Sequence, residues 1–160
     1  MKKFICAAAL ATLASVSTAS ASPADATFTT QTVMTQAGAN ALIAAGEAAA
    51  KKLNAHVCIA VTDQYGMLLA FTRMDTAPTG CIETSFLKAR AGAYYRTPTD
   101  QYMDRANGKE PAIATLPGMI PLGGGSPVVL NGVVIGAVGV SGSANPNEIA
   151  IAKEAAASFK

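Results

Sequence analysis

The sequence lacks most of the residues from which common catalytic centres are built. It contains no tryptophan and only one histidine, His56, so it does not support a Ser-His-Asp triad. A zinc site is not indicated either, because there is no Cys-x-x-Cys pair. The glycine-rich stretch 123–126 has no Lys-Ser/Thr to complete a phosphate-binding loop, and 139–143 lacks the final glycine of a nucleophile elbow. We therefore assign no catalytic residues, and the sequence leaves open whether the protein is an enzyme.

Charged residues are scarce as well. They make up 14% of the chain, whereas 51% of the residues are hydrophobic. Without Lys2 and Lys3, which belong to the leader described next, ten basic and ten acidic residues remain. A neutral chain with no basic stripe argues against binding to nucleic acid or to an anionic membrane surface. The length of 22–160 suits one domain with a single core, and the apolar content predicts that this domain folds.

The first 21 residues are typical of a secretory signal peptide. A basic MKK precedes the apolar run FICAAALATLASVS, and Ala19-Ser20-Ala21 forms a small-x-small cleavage site. The apolar run is too short to span a bilayer. We expect cleavage after Ala21 and a soluble mature protein, periplasmic or secreted, that begins at Ser22.

Only two of the three cysteines remain after cleavage of this leader, because Cys6 lies within it. In an oxidising compartment Cys58 and Cys81 can form a disulfide that closes a loop of about 23 residues, worth roughly 3 kcal/mol. They can equally be two buried thiols. The sequence does not give the distance between them, so both alternatives stay open.

The first half of the mature chain predicts a strand, a helix and a hairpin. Residues 27–33 alternate as an edge strand would, and Thr35 is a suitable N-cap for a helix ending near Leu53. Strands are predicted at 57–63 and 67–73. Both are apolar on both faces, which predicts a sheet covered on both sides.

A helix predicted at 82–95 carries three distinct faces. One is an apolar stripe and a second holds Leu87 and Tyr94, while the third is small and polar around the single cation Lys88. One face has to meet the sheet, and we expect another to meet a partner subunit or a ligand. The stripe consists of Ile82, Phe86, Ala89 and Ala93.

The last part of the chain predicts a long loop, a second hairpin and a final helix. Thr99 is a candidate N-cap for a short helix inside the irregular segment 97–119, a length of loop that is usually functional or mobile. Asn131-Gly132 is a type I′ hairpin signal. The following strand contains glycines that indicate a close approach to its backbone, Gly136 and Gly139. The final helix has its predicted N-cap, N1 and N3 at Asn145, Pro146 and Glu148. The order of elements predicts an α+β fold with helices against an antiparallel sheet.

Three segments, in order and at matching spacing, resemble the GlcG/HbpS family of haem-binding proteins, which also includes the last domain of some PduO-type proteins. They are IAVTDQYGMLLAFTRMDTAP, IETSFLKARAGAYYRTPT and LPGMIPLGGGSPVVLNGVVIGAVGVSGSANPNEIAIAKEAAASF. The resemblance implies a profilin-like α/β/α sandwich that forms homo-oligomers. It also implies haem binding in exported members, with sequestration, breakdown or redox signalling through a membrane sensor as possible roles. The chain departs from the family where Asn147 replaces the usual Asp before Glu148.

From this resemblance we predict loosely bound haem held by four residues. Arg73 and Lys88 are the cations expected to pair with the propionates, because both adjoin apolar surface. Thr99 and His56 are the expected iron donors. Thr99 best matches the threonine implicated in an exported member, and Thr97 close by is the alternative match. The sequence also offers other donors: Met67, Met74, Met103, Met119, Tyr94, Tyr95 and Tyr102.

Two other function classes remain in competition with haem binding. In the first, an enzyme or binding protein acts on a small organic acid such as a 2-hydroxy acid, with Arg73 and Lys88 holding the carboxylate. Backbone N–H groups of the glycines at 123–125 would then provide an oxyanion site. In the second, an oligomer presents the loop 97–119 to a signalling partner.

Overall fold

The computed structural model describes residues 29–159. The predicted signal peptide and its cleavage site lie outside these residues, and so does the start of the strand predicted at 27–33. Residues 29–33 form no strand, so that prediction is wrong for the part that is described. From Thr32 onward the chain forms one compact unit.

Four antiparallel strands form a single sheet in the order β2-β1-β4-β3. Both predicted hairpins are confirmed, and Asn131 and Gly132 have the positive φ angles of 50° and 78° that a type I′ turn requires. The side chains of β1 point alternately to the two faces of the sheet, and helices cover both faces. The strands are β1 (Cys58–Asp63), β2 (Leu68–Arg73), β3 (Gly125–Leu130) and β4 (Val133–Ser141).

One face of the sheet packs against two helices, α1 (Gln36–Lys52) and α4 (Asn145–Ala157). Thr35 caps α1 as predicted, since its hydroxyl accepts a hydrogen bond from the Gly38 N–H at 3.1 Å. The side chains between these helices and the strands form the main core, which includes Leu42, Ile59, Val61, Val138, Val140, Ile151 and Ala155.

The predicted cap of α4 is displaced by one residue. Its N-cap is Ala144, and Asn145 is already helical. The Asn145 amide nitrogen donates to the Gly123 carbonyl at 2.9 Å, and the helix has no side-chain cap. The Glu148 carboxylate accepts hydrogen bonds from the backbone N–H groups of Gly142 and Ser143, which belong to the turn before the helix.

The helix α2 (Cys81–Tyr95) covers the opposite face of the sheet with its small, polar side. Ser85, Lys88 and Gly92 are buried, and so are Ala89 and Ala93 of the apolar stripe, whereas Ile82 of that stripe is exposed. A Cβ atom at Gly139 of β4 would collide with the Ser85 carbonyl and the Ala89 N–H. The close approach predicted at this glycine is therefore confirmed, and the approaching element is α2.

The long segment 97–119 is more regular than its sequence suggests. It contains the helix α3 (Thr99–Asn107) and a 3₁₀ helix at Pro111–Thr115. The N-cap of α3 is Pro98 rather than the predicted Thr99, because the Thr99 hydroxyl bonds to other parts of the backbone. Two hydrogen bonds from Arg105 hold Glu110 beyond the end of α3 and lower the pKa of that carboxyl group.

The strand β2 departs from the predicted double coverage. It lies at the edge of the sheet, and Leu68 and Phe71 are exposed. The prediction holds for β1, which the neighbouring strands and helices enclose. An apolar strand is therefore buried or exposed according to its position in the sheet, which its own composition does not reveal.

Candidate functional site

Two of the predicted ligand residues, His56 and Arg73, line the same open depression, which has a volume of about 340 Å³. The antiparallel pairing of β1 with β2 brings them together, because Cys58 of β1 lies opposite Arg73 at the end of β2. The C-terminal part of α1 and the residues after β2 complete the wall. The other lining residues are Glu47, Lys51, Met74 and Asp75.

The imidazole of His56 is oriented by the chain that follows β2. Its Nδ1 atom lies 2.8 Å from the Asp75 carbonyl oxygen. Because a carbonyl oxygen can only accept, Nδ1 carries the hydrogen, and the neutral ring keeps its lone pair on Nε2. A ring held through one nitrogen presents the other as a defined donor to a metal ion.

The guanidinium of Arg73 is fixed in a similar way. Its Nε and Nη2 atoms donate to the Ala77 carbonyl at 3.0 and 2.7 Å. Lys51 supplies a second cation to the depression, while Glu47 and Asp75 supply carboxylates. The Glu47 carboxylate accepts a hydrogen bond from the Thr72 hydroxyl at 3.0 Å. The depression thus offers one imidazole and charges of both signs around the Met74 side chain.

A disulfide joins Cys58 of β1 to Cys81 at the start of α2, with 5.4 Å between the Cα atoms. This resolves the alternative left open by the sequence in favour of the bridge. Both cysteines are buried, so the bond fastens α2 to the sheet from within. It lies on β1 directly across from Arg73, the residue that ends β2 at the depression.

The structure places Lys88 in the interior, away from this depression. Its Nζ atom lies 2.6 Å from Oε2 of Glu148 and 3.3 Å from the Val140 carbonyl oxygen. The two paired side chains are only 2% and 7% exposed. Lys88 is a counter-charge for a carboxylate, as its sequence context indicated, but that carboxylate belongs to the protein. Asn145 completes the cluster by donating to Glu148 Oε2 at 3.1 Å.

Thr99 is also an interior residue with local partners. Its hydroxyl donates to the Leu122 carbonyl at 2.7 Å and accepts from the Gly125 N–H at 2.8 Å. It thereby holds the glycine-rich segment that leads into β3. Thr99 already uses its hydroxyl hydrogen and one lone pair in these bonds, and Lys88 is already paired with Glu148. Their ligand roles stay predictions, and neither residue lines the depression.

The geometry gives little support to the small-acid enzyme. The N–H groups of Gly123 and Gly125, two donors of the proposed oxyanion site, are engaged by Met103 Sδ and Thr99 Oγ1. Arg73 and Lys88, the proposed carboxylate clamp, belong to different parts of the fold. The described residues therefore do not assemble the constellation that this alternative needs.

Sequence reasoning missed several residues of the His56 depression and of the buried cluster around Lys88. Lys51, Glu47 and Asp75 were not assigned to a site, although an acid and a base four residues apart near the end of a helix share one face. Glu148 was assigned only to a cap. The signal that could have identified it is Lys88 itself, because a cation on a face of small residues requires a buried carboxylate.

Two further features bear on function. Within residues 29–159 no group of three or more His, Cys, Asp or Glu side chains is arranged to hold a metal ion. No helix in that part of the chain has the length and apolar character needed to cross a membrane.

Comparison with known proteins gives consistent matches. Residues 34–157 match the family model described as haem degrading protein HbpS-like. The chain is 44% identical to protein GlcG of Escherichia coli K12 over 112 residues, which cover 70% of this chain and 84% of that protein.

Solved structures agree with this family match. The fold is similar to a double mutant of HbpS from Streptomyces reticuli, with a TM-score of 0.77 and 27% identity, over 92% of this chain and 99% of the other. It also resembles the structure titled PduOC:Heme Complex, with a TM-score of 0.71 and 23% identity, over 81% and 96% of the two chains. At that identity the second likeness concerns the fold alone.

Proposed function

This chain belongs to the HbpS-like family, and from that premise we propose that it is an exported haem-binding protein that sequesters or handles haem. The observation that carries the proposal is the family match over residues 34–157, together with a fold similar to HbpS over most of both chains. Helices on both faces of an antiparallel sheet also support the profilin-like sandwich that the resemblance implies.

The depression between α1 and the end of β2 is the place we propose for haem. The Nε2 atom of His56 would serve as the iron donor, and the cations of Arg73 and Lys51 would receive the propionates. Met74 supplies apolar contact. A depression of about 340 Å³ that is open to solvent would cover only part of a haem, which agrees with loose and exchangeable binding. Bound haem would supply a redox-active iron.

Export through the predicted signal peptide forms the second part of the proposal. The Cys58–Cys81 disulfide supports it, because such bonds persist in oxidising compartments and are rare in the cytosol. Degradation of haem, association into oligomers and contact with a sensor protein are further roles that the family suggests for this chain, and they stay predictions.

Titration of haemin into the mature protein, followed at the Soret band, tests the proposed site. We expect saturable binding at micromolar concentrations. His56→Ala should change the position of the Soret band, because it removes the iron donor. Arg73→Gln should weaken binding about tenfold, the effect of one lost charge-assisted contact of roughly 1.5 kcal/mol.

Arg105→Gln is the matched control for this titration, because it removes an exposed arginine outside the depression. It should bind haemin as the wild type does. If the wild type gives no saturable Soret change, the haem proposal fails. If it binds and both depression variants match it, haem lies elsewhere, and Thr99 and Lys88 with the Met and Tyr residues of the segment 94–119 become the next candidates.

A further inference from the structure

Arg90 of α2 is a half-buried cation that has no carboxylate partner among residues 29–159. None of the ion pairs of those residues involves its guanidinium, and its Nε atom is buried without an acceptor. Removing a charge from water without a partner is costly. Four other cations of the fold, by contrast, each form an ion pair with a carboxylate: Lys52, Lys88, Arg105 and Lys153.

Aromatic rings and turn glycines surround this guanidinium instead. Its Cζ atom lies 5.5 Å from the centre of the Phe86 ring and 6.0 Å from that of Tyr94. Two turns with positive φ, at Gly66 and Gly118, press against Arg90 and Tyr94 so closely that a Cβ atom at either glycine would touch the tyrosine ring. Cation–π contacts stabilise the charge in part but accept no hydrogen bond.

Two more buried polar atoms without partners lie at the same end of the sheet. They are the hydroxyl of Thr62, on the face of β1 that α2 covers, and the amide oxygen of Gln64, in the turn that contacts Arg90. Together with Arg90 Nε they are the buried side-chain atoms without a hydrogen bond in the part of the chain that the structure describes. Native proteins satisfy most such groups with protein, water or ligand atoms, so these three atoms can accept a partner from outside the described residues.

We propose that Arg90 is the anion-binding residue of a second ligand site, which takes a carboxylate carried on an apolar or aromatic body. The guanidinium would receive the carboxylate, and the Phe86 and Tyr94 rings, of which Tyr94 is exposed, would contact the body. The site would be formed by Phe86, Arg90 and Tyr94 of α2 and uses no residue of the His56 depression. The inference therefore does not rest on haem binding.

Fluorescence titration with 1-pyrenebutyrate, and with its neutral analogue 1-pyrenebutanol, tests this site without haem. The wild type should bind the acid more tightly than the alcohol. Arg90→Met keeps an unbranched apolar side chain of similar length but removes the charge. It should lose about tenfold or more in affinity for the acid and little for the alcohol. Lys109→Met, which removes an exposed cation from the segment after α3, should bind both probes as the wild type does.

Three results would overturn the proposal. One is equal binding of the acid and the alcohol, or of neither, by the wild type. Another is unchanged affinity of Arg90→Met for the acid, provided that its thermal unfolding shows it to be folded. The third is loss of self-association in Arg90→Met without acid binding by the wild type, because Arg90 would then pair with a carboxylate of a second copy.

Discussion

At the scale of single residues, the Lys88–Glu148 pair carries the largest energetic consequence. Lys88→Met would leave the Glu148 carboxylate buried with neutral donors but no cation. Breaking a buried pair in this way costs about 3–5 kcal/mol. We expect a loss of that size in the free energy of unfolding, measured with urea on the mature protein.

Two further variants separate this charge effect from lost packing. The double variant Lys88→Met/Glu148→Gln removes both charges and keeps an amide oxygen that can still accept from the turn, so it should be more stable than Lys88→Met alone. Lys153→Met breaks a pair of the same 2.6 Å length near the surface, where a salt bridge contributes less than about 1 kcal/mol. Equal losses for Lys153→Met and Lys88→Met would contradict the assignment.

The sequence predicted the partners of individual residues only where they are local. Thr35 was identified as a cap because its acceptor role depends on the next few residues. Lys88 was recognised as a cation that needs a carboxylate, but Glu148 lies 60 residues away and its own neighbourhood suggested a cap. Thr99 was placed in a ligand site by resemblance, whereas its two hydrogen bonds reach residues more than 20 positions along the chain.

At the scale of elements, the packing of α2 on β4 depends on a glycine at the contact. A methyl group at Gly139 would meet the Ser85 carbonyl and the backbone N–H of Ala89, neither of which can yield without moving the helix. Gly139→Ala should therefore destabilise the fold by about 1–3 kcal/mol, the usual cost of overpacking. Thermal or urea unfolding would measure it.

Gly80→Ala is the matched control for this helix. Gly80 precedes α2 with an ordinary φ of −62°, and a Cβ atom there would meet nothing within 4 Å. The change should stay within about 0.5 kcal/mol of the wild type, as surface substitutions usually do. A Gly139→Ala variant as stable as Gly80→Ala would show that α2 can shift without loss.

The helices and strands themselves were largely predictable, but the side of α2 that packs against the sheet was not. The type I′ signal of Asn131-Gly132 and the glycines of β4 predicted the second hairpin and its close contact. The side of α2 that meets the sheet was not predictable from hydrophobicity alone, because the apolar stripe is divided: Ala89 and Ala93 are buried, whereas Ile82 is exposed. Close helix-to-sheet contact places small residues there, as the contacts at Gly139, Gly92 and Gly125 show.

At the scale of the whole molecule, the order of elements predicted the α+β class with helices against an antiparallel sheet, and the structure confirms it, whereas the composition of β2 did not reveal its position. Strand order depends on the pairing of β1 with β4, which are far apart in the sequence. That pairing leaves β2 at one edge and β3 at the other. Two strands of similar apolar character, β1 and β2, therefore have opposite exposure.

The exposed apolar edge at β2 predicts that the protein self-associates there. Leu68 is 50% exposed, and neighbouring Met67 and Phe71 are exposed as well. An apolar edge strand is a template for pairing with another copy.

Light scattering at micromolar concentration should give a mass above that of one chain, and Leu68→Lys should lower it by placing like charges at the contact. Val129, 47% exposed on the opposite edge strand β3, provides the control, because Val129→Lys should leave the mass unchanged. A single-chain mass for the wild type would contradict self-association, and dissociation by Val129→Lys alone would move the interface to β3.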